Sequence, residues 1–317
     1  MYIKFWGTRG SIPTPTSSEV IKQKIRVALE GAAGLDLTNE AVRERYLERL
    51  PLTIGGTIGG NTLCLEVRSG DQTLILDAGS GLRLLGIDLM QQGFAQGHRN
   101  LDFLITHTHW DHIQGFPFFQ PAFIPNNHLT FYSPFDDLQD RLAKQQENKF
   151  FPVPITYMSA QLEFEQIIPN TWHQIGNFRV YPMLTSHPGE AYIYRIEDST
   201  SSMVYATDSE YKRVDPESTK RYIEFFRDTD LLIFDAQYSF TEALDRLDWG
   251  HGTALMGAEF AYRARAKRLA LFHHDPTSTD EKIWLSREQA EAYLMYHHSN
   301  HCTQSVFIAC DGLSIDI

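Results

Sequence analysis

The chain alternates short apolar runs with turns rich in glycine, asparagine, aspartate and proline. Runs of about four to eight residues dominated by Val, Ile, Leu, Phe and Tyr, and closed by such turns, are typical of β-strands. This pattern predicts strands at residues 2–6, 63–67, 73–76, 101–105, 129–132, 178–184, 192–196, 203–206, 231–235, 268–272 and 306–309.

Apolar residues at helical spacing occupy several of the segments between these strands, and they predict helices at 82–92, 137–149, 254–265 and 286–298. Residues 17–50 contain two further amphipathic runs with Gly31, Gly34 and Asp36 between them. We therefore expect a helical insertion at about 17–50, between the first two strands. It is either a solvated decoration or a functional element, as a lid or a dimer contact.

Two predicted hairpins resemble one another, because each ends in an aspartate followed by a turn. The first, 63–76, ends at Asp77, and the second, 192–206, is followed by Asp208. The strand at 231–235 likewise resembles the strand at 101–105. This weak repetition predicts two βα halves that face one another rather than two unrelated domains.

Composition and charge narrow the class of protein. The 317 residues include 42% hydrophobic and 21% charged residues, as in ordinary globular proteins. We predict one domain over residues 1–317, although this length also allows two. The net charge of −12 argues against a nucleic-acid coat. Cys64, Cys302 and Cys310 lack the spacing of a disulfide framework or a zinc motif, and no apolar stretch is long enough to span a membrane. We therefore expect a cytoplasmic protein.

The segment 104–112 carries the main candidate chemistry, four side chains of the metal-binding type within six positions. They are His107, His109, Asp111 and His112. If the strand continues, His107 and His109 leave it on the same face and could bind one ion together, and the other two could reach a second ion. Imidazole suits Zn, Fe, Ni or Cu, and an adjacent carboxylate extends the choice to Mn or Fe. The alternative is a pair of surface histidines after a buried strand.

Other predicted strands also end at ligand-type residues: His187, Asp208 and His273. Core packing gives no reason for such residues to gather where strands stop, whereas a site at one edge of two sheets does. The glycine turn at 7–13 adds Arg9 and Ser11, which could donate hydrogen bonds to an anion or could belong only to a turn.

These residues and their order resemble the metallo-β-lactamase superfamily, whose marks are a His-x-His-x-Asp-His run, a later His, an Asp and a final His. The resemblance covers nearly the whole chain outside the insertion. It implies a four-layer αβ/βα sandwich, two mixed β-sheets with outer helices, and two divalent ions, Zn²⁺ first and Mn²⁺ or Fe²⁺ as alternatives. The resemblance assigns the metal ligands residue by residue. The first ion would take His107, His109 and His187, the second Asp111, His112 and His273, with Asp208 bridging. His274 is the rival of His273, which we prefer because it directly follows the apolar strand.

Within the superfamily, the chain is more similar to the phosphodiesterase branch that includes RNase Z and bacterial cyclic-nucleotide phosphodiesterases. The supporting stretches are 7–13, 59–62, 151–153, 235–238, 250–253 and 273–276. The resemblance implies that Asp235 and His251 form a proton-handling pair, so that Asp111, His251 and Asp235 are the expected catalytic residues. The sequence departs from the RNase Z pattern at two positions here, because Asp235 replaces a Glu and Gly252 replaces the usual Ser. The resemblance therefore supports this pair less strongly than it supports the metal ligands.

The expected reaction is hydrolysis of a phosphodiester. Two ions about 3.5–4 Å apart can share a water and supply hydroxide at neutral pH. An Asp at the bridging position, where the β-lactamase branch typically has Cys, favours phosphoesters, although some thioester and lactone hydrolases also keep Asp. We expect small substrates, with 3′,5′-cyclic nucleotides favoured and long nucleic acid disfavoured, and a homodimer, as is common in this branch. The alternatives are an RNase Z-like tRNA 3′-processing endonuclease and a non-enzymatic metal or ligand sensor.

Overall fold

The computed structural model describes residues 1–212, 215–297 and 305–317. It contains two seven-stranded mixed sheets. The strands of the first sheet, in spatial order, are β14 (Ser314–Asp316), β1 (Tyr2–Gly7), β2 (Cys64–Ser69), β3 (Gln72–Leu76), β4 (Asn100–Leu104), β5 (His128–Ser133) and β6 (Gln161–Gln166). Those of the second are β13 (Ser305–Ile308), β12 (Arg268–Phe272), β11 (Leu231–Asp235), β10 (Ser202–Ala206), β9 (Tyr192–Glu197), β8 (Phe178–Leu184) and β7 (His173–Ile175).

Each sheet has an antiparallel part and a parallel part. In the first sheet β14, β1, β2 and β3 pair antiparallel, and β3 to β6 pair parallel. In the second, β7 to β10 pair antiparallel, and β10 to β13 pair parallel. The structure thus confirms the predicted pair of facing halves, since the two sheets repeat one arrangement.

The helices lie outside the sheets, apart from short turns in the loops. They are α1 (Ser18–Gly31), α2 (Glu40–Arg49), α3 (Leu52–Gly55), α4 (Gly81–Gln91), α5 (Trp110–Ile113), α6 (Leu138–Gln145), α7 (Pro216–Phe226), α8 (Phe240–Asp245), α9 (Ala254–Ala264) and α10 (Asp280–Tyr296). The central core packs side chains of both sheets together, including Phe103, Tyr194 and Phe272. A second core lies between the second sheet and α7, α9 and α10. These layers confirm the predicted αβ/βα sandwich.

The predicted insertion contains the two expected helices, α1 and α2, and the short α3 follows it at Leu52–Gly55. Every residue of α1 and α2 is exposed or half-buried, so these helices add little to the core. Their role, and the extent of the single domain, stay predictions.

The boundaries of two predicted helices were wrong. Helix α10 begins at Asp280 rather than 286, because the Thr279 side chain caps it by accepting a hydrogen bond from the Lys282 amide. Helix α6 ends at Gln145 rather than 149. Cys302 and the last residue of the predicted helix 286–298 lie outside the described residues. Among the described residues, no helix is both long and apolar enough to cross a bilayer.

Candidate metal centre

The candidate site lies where strands of both sheets end. Asp77 follows β3, Asp208 lies two residues beyond β10, and His273 follows β12. All three have a positive φ, of 59°, 46° and 58° respectively. A left-handed backbone costs a non-glycine residue about 1–2 kcal/mol; aspartate, asparagine and histidine adopt it more readily than most residues, and functional sites are enriched in it. These turns direct the three side chains toward one edge of the sandwich.

The histidine run itself does not lie on a strand, which corrects one expectation. Strand β4 ends at Leu104, so His107 and His109 belong to the following loop, whereas Asp111 and His112 lie on α5. The two imidazoles still converge, with ring centroids 4.4 Å apart. The loop therefore brings the imidazoles of His107 and His109 together, as alternation along a strand was expected to do.

One group of ligand atoms comes from His107, His109, His187 and Asp208, all within 4.8 Å of one another. His187 Nε2 lies 3.0 Å from His109 Nδ1, and Asp208 Oδ2 lies 3.6 Å from His107 Nε2 and 3.7 Å from His187 Nε2. Three imidazole nitrogens and one carboxylate oxygen thus face a common point.

A second group, equally compact, comes from Asp111, His112, Asp208 and His273. Here the other oxygen of Asp208, Oδ1, lies 3.2 Å from His112 Nε2 and 3.2 Å from His273 Nε2. Asp111 Oδ2 is 3.2 Å from His273 Nε2 and accepts a hydrogen bond from the Ser11 amide at 2.7 Å. Asp208 therefore belongs to both groups and turns one oxygen toward each.

Buried nitrogens in both groups indicate that the residues fit metal ions. The Nε2 atoms of His107 and His112 are buried and, among the described residues, make no hydrogen bond of good geometry despite the nearby oxygens of Asp208. Buried polar atoms of proteins are otherwise nearly always satisfied. Imidazole nitrogens with carboxylate oxygens suit Zn²⁺, Fe²⁺ and Mn²⁺.

The charges at the site favour a bound cation. Burial opposes the ionisation of Asp208, but His273 and His112 hold its pKa well below the usual range. Burial and the nearby His112 lower the pKa of His107, so its imidazole is neutral as a ligand must be. Burial would also lower the pKa of His273, but Asp208 and Asp111 raise it to about 9. Asp208 and Asp111 are thus ionised, and their negative charge stabilises a positive charge at the cluster.

Hydrogen bonds at the ring nitrogen Nδ1 orient two of the imidazoles. Asp77 Oδ2 accepts a hydrogen bond from His112 Nδ1 at 2.8 Å, and Asp77 also accepts from the Thr106 amide and the Tyr205 hydroxyl. His187 Nδ1 donates to the Gly250 carbonyl at 2.9 Å. Each contact occupies Nδ1 and leaves Nε2 facing the cluster, as is usual for metal-binding histidines. Asp77 is a functional residue that the sequence pattern alone does not identify, although its place at the end of a hairpin, like that of Asp208, is a signal.

The predicted proton-handling pair is adjacent to the second group. His251 Nδ1 lies 3.0 Å from Asp235 Oδ2, and the His251 ring stacks 4.8 Å from that of His273. Backbone amides of Gln237 and Gly252 also donate to the fully buried Asp235. The carboxylate is thus fixed, and its contact with Nδ1 leaves Nε2 of His251 free of Asp235.

The structure separates the two rival histidines. His273 faces Asp208 and Asp111, whereas His274 Nε2 donates to the Ala309 carbonyl at 2.9 Å, and burial lowers the pKa of His274 to about 3.

Arg9 is not placed to bind an anion. Its buried guanidinium donates to the carbonyls of Gly59, Asp275 and Ser278. The Ser11 amide serves Asp111 instead.

Comparison with known proteins shows the family of the chain. The family model described as "Beta-lactamase superfamily domain" matches residues 73–274, more than half of the chain. Ribonuclease Z of Prochlorococcus marinus (strain NATL1A) is 40% identical over 78 residues, 25% of this chain, and the match spans only 23% of that relative's length. Ribonuclease Z of Archaeoglobus fulgidus is 26% identical over 307 residues, covering 81% of this chain and 92% of the relative.

A solved structure shows the same fold over the full length. The metallo-beta-lactamase fold protein YhfI from Bacillus subtilis superposes with a TM-score of 0.64 at 19% identity, covering 99% of this chain and 98% of that one. With two seven-stranded sheets, clustered His and Asp side chains and a family match over more than half of its length, the chain belongs to the beta-lactamase superfamily.

Proposed function

We propose that this chain is a phosphodiesterase that uses two divalent ions to hydrolyse small phosphodiesters, with 3′,5′-cyclic nucleotides as favoured substrates. The observation that carries the proposal is the division of Asp208, with Oδ1 3.2 Å from His112 and His273 and Oδ2 3.6–3.7 Å from His107 and His187. A carboxylate shared in this way suits two neighbouring ions, Zn²⁺ first and Mn²⁺ or Fe²⁺ as alternatives.

The chain's own residues divide the work. His107, His109 and His187 would hold one ion, and Asp111, His112 and His273 the other, with Asp208 between them. When bound, such a pair of ions supplies Lewis acidity for phosphoryl oxygens and lowers the pKa of water toward neutrality. Asp77 and the Gly250 carbonyl keep the imidazoles in the required tautomer and orientation.

His251 would protonate the departing alkoxide. Since its Nδ1 donates to Asp235, Nε2 is the atom left to give a proton to the substrate. Asp235 stabilises the protonated ring, and the amides of Gln237 and Gly252 hold that carboxylate in place. General-acid help of this kind contributes roughly 10²–10⁴-fold to a rate.

Charge supports small substrates over long RNA. The chain carries 28 Lys and Arg against 40 Asp and Glu, so a polyanion is repelled on average. In residues 113–160 the basic side chains are Arg141, Lys144 and Lys149, and the Arg141 guanidinium lies 2.6 Å from Asp137. Gripping an RNA backbone needs clustered, available cations.

A second candidate is an RNase Z-like tRNA 3′-processing endonuclease. It is favoured by the Archaeoglobus relative, a ribonuclease Z that the match covers over 92% of its length. Structured RNA would then bind with a steep salt dependence.

The test loads the protein with Zn²⁺ or Mn²⁺, counts the bound metal, and assays a chromogenic diester, cyclic nucleotides and a tRNA precursor with and without chelator. We expect chelator-sensitive turnover of the small diesters and no cleavage of the precursor. Asp208→Asn should lose both metal and activity, whereas Asp102→Asn, the same change on β4, should keep them. Absence of turnover on every small diester by metal-loaded protein would refute the proposal, and precursor cleavage alone would favour the second candidate.

A homodimer is a separate proposal. Phe118, Phe150 and Tyr157, which follow the histidine run, are 53%, 76% and 70% exposed, and such exposed aromatics often mark an interface. Light scattering on a size-exclusion column tests it, since a monomeric mass at micromolar concentration would exclude the dimer.

A further inference from the structure

Two tryptophans beside the metal centre are far more exposed than indoles usually are. Trp110 is 81% exposed and Trp249 is 60% exposed. A tryptophan buries a large apolar area when it packs, so an exposed indole leaves much contact surface unused. Both stand next to groups of the candidate site. Trp110 lies between His109 and Asp111, and Trp249 directly precedes Gly250, whose carbonyl accepts a hydrogen bond from His187.

Both tryptophans are adjacent in sequence to residues on the open side of the cluster. His187 connects them, because its ring lies 4.9 Å from that of His109 and 5.3 Å from that of His251. On this side His109 is exposed, as are Pro188 and Gly189, whereas His112 and His273 on the other side are fully buried. The accessible approach to the cluster therefore passes His109 and the loop of His187, and Trp110 and Trp249 lie on the segments next to these residues.

Trp249 is held in position by an arginine. The Arg246 guanidinium lies 5.7 Å from the centre of the Trp249 ring and 4.7 Å from that of Tyr238, and it pairs with Asp275 at 3.6 Å. The Tyr238 ring in turn contacts His251 edge-on at 5.6 Å. Arg246 and Tyr238 thus lie between Trp249 and the predicted proton donor, and the Trp249 ring remains largely open to solvent.

We propose that Trp110 and Trp249 are substrate-specificity residues that stack against a planar aromatic group, a nucleobase, attached close to the scissile phosphodiester. This inference rests on the proposed function and names the substrate class of that site. Stacking accepts any base because every base has a π-face, so the pair selects for the presence of a base rather than for its identity.

Stacking should act on binding rather than on the chemical step. The base lies away from the reacting phosphorus, so its contacts are equal in the ground state and the transition state and change KM with little effect on kcat. Base–aromatic stacking contributes an amount equivalent to about 5–100-fold in affinity per base.

The kinetic experiment compares two substrates with the same cyclic diester, adenosine 3′,5′-cyclic phosphate and methyl riboside 3′,5′-cyclic phosphate, which has no base. In Trp110→Ala and Trp249→Ala, the KM for the nucleotide should rise about 5–100-fold more than that for the base-free compound, with partial rescue by Trp110→Phe or Trp249→Phe. Tyr296→Ala, which removes another exposed aromatic (88%), is the matched control and should leave the ratio unchanged. Equal changes for both substrates would overturn the proposal.

A binding experiment keeps the inference testable if no diester is turned over. Adenosine monophosphate should quench the tryptophan fluorescence of the metal-loaded protein, ribose 5-phosphate should not, and the double variant Trp110→Phe/Trp249→Phe should lose the quenching. A short single-stranded oligonucleotide is the second arm. If it quenches at lower concentration than the mononucleotide, the base comes from RNA. Unaltered quenching in the double variant would overturn the proposal. If the double variant also changed from dimer to monomer, the two indoles would be a subunit contact instead.

Discussion

The Oδ2 atom of Asp77 lies 2.8 Å from Nδ1 of His112, and both side chains are fully buried. The contact joins the end of β3 to α5 across 35 positions of sequence. Asp77 also accepts hydrogen bonds from the amide and hydroxyl of Thr106 and from the hydroxyl of Tyr205. One carboxylate thus ties both sheets to a candidate metal ligand and fixes which nitrogen of that ligand faces the cluster.

We expect Asp77→Asn to weaken metal binding at the second group by about 10–100-fold, the usual effect of losing an outer-shell carboxylate. An asparagine tolerates the positive φ of this position and keeps one acceptor for Thr106. Its amide group would donate to His112 Nδ1, which favours protonation of Nε2, the atom that should bind metal. Competition with a chromophoric chelator measures the affinity.

The matched control for this change is Asp102→Asn on β4, where the carboxylate accepts a hydrogen bond from Gln72 Nε2 at 2.7 Å, away from the cluster. It should leave metal affinity unchanged. Equal affinities for wild type and Asp77→Asn would show that Asp77 serves the fold alone.

The sequence could predict most of the fold because its strands are short apolar runs closed by turns. It missed β6, whose Gln161, Glu163 and Glu165 alternate with apolar residues at the outer edge of a sheet. It also missed α8, which begins with a capping box formed by Ser239 and Glu242. Both elements are more polar than the strands that the pattern identified.

The candidate site, like the fold, could be predicted only in part from the sequence. Residues such as His112 and His187 are recognisable by type and by their place beyond the ends of strands. The partners that orient them are not, because the Gly250 carbonyl and the Asp77 carboxylate reach them from distant loops. The turning of Asp77, Asp208 and His273 toward one edge depends on left-handed backbone angles that a sequence pattern does not specify.

The different surroundings of His273 and His274 give a paired prediction. His273→Ala should reduce the bound metal by about one equivalent, because it removes a nitrogen of the second group. His274→Ala should keep both equivalents but lower the free energy of unfolding by about 1–3 kcal/mol, since it leaves the buried Ala309 carbonyl without its donor. Metal analysis after dialysis, and urea unfolding in chelator, measure the two effects. The reverse result would make His274 the ligand.

The capping box of α8 predicts a pH-dependent contribution to stability. Burial opposes ionisation of Glu242, but Lys282 at 2.6 Å and Ser239 lower its pKa to about 2. Because the pKa is lower in the folded state than in the unfolded state, this contribution is full above the ordinary value of 4.5 and is lost as pH falls toward 2. Glu242→Gln should therefore cost about 0.5–2 kcal/mol at pH 7, as lost caps and pairs do, and progressively less below pH 4.5.

The exposed Glu281 supplies the control for this experiment, since Glu281→Gln makes the same chemical change on α10. Urea unfolding of both variants between pH 7 and pH 4 gives the comparison. A loss for Glu242→Gln that stays constant over this range would show that the carboxylate acts by packing and not by charge.

The contact between His251 and Asp235 predicts how activity depends on the leaving group. An alkoxide such as the ribose 3′-oxygen needs a proton as it departs, whereas p-nitrophenolate leaves without one. His251→Ala should therefore reduce kcat on cyclic nucleotides by roughly 10²–10⁴-fold and on a nitrophenyl diester by far less. Asp235→Asn should show the same asymmetry in milder form, because the ring remains but loses the carboxylate that stabilises its charged form. The control is His128→Ala. His128 is the first residue of β5 and pairs with Glu163, so its replacement should not change kcat on either substrate. Equal losses on both substrates for His251→Ala would mean that this histidine supports the metal centre and does not donate the proton.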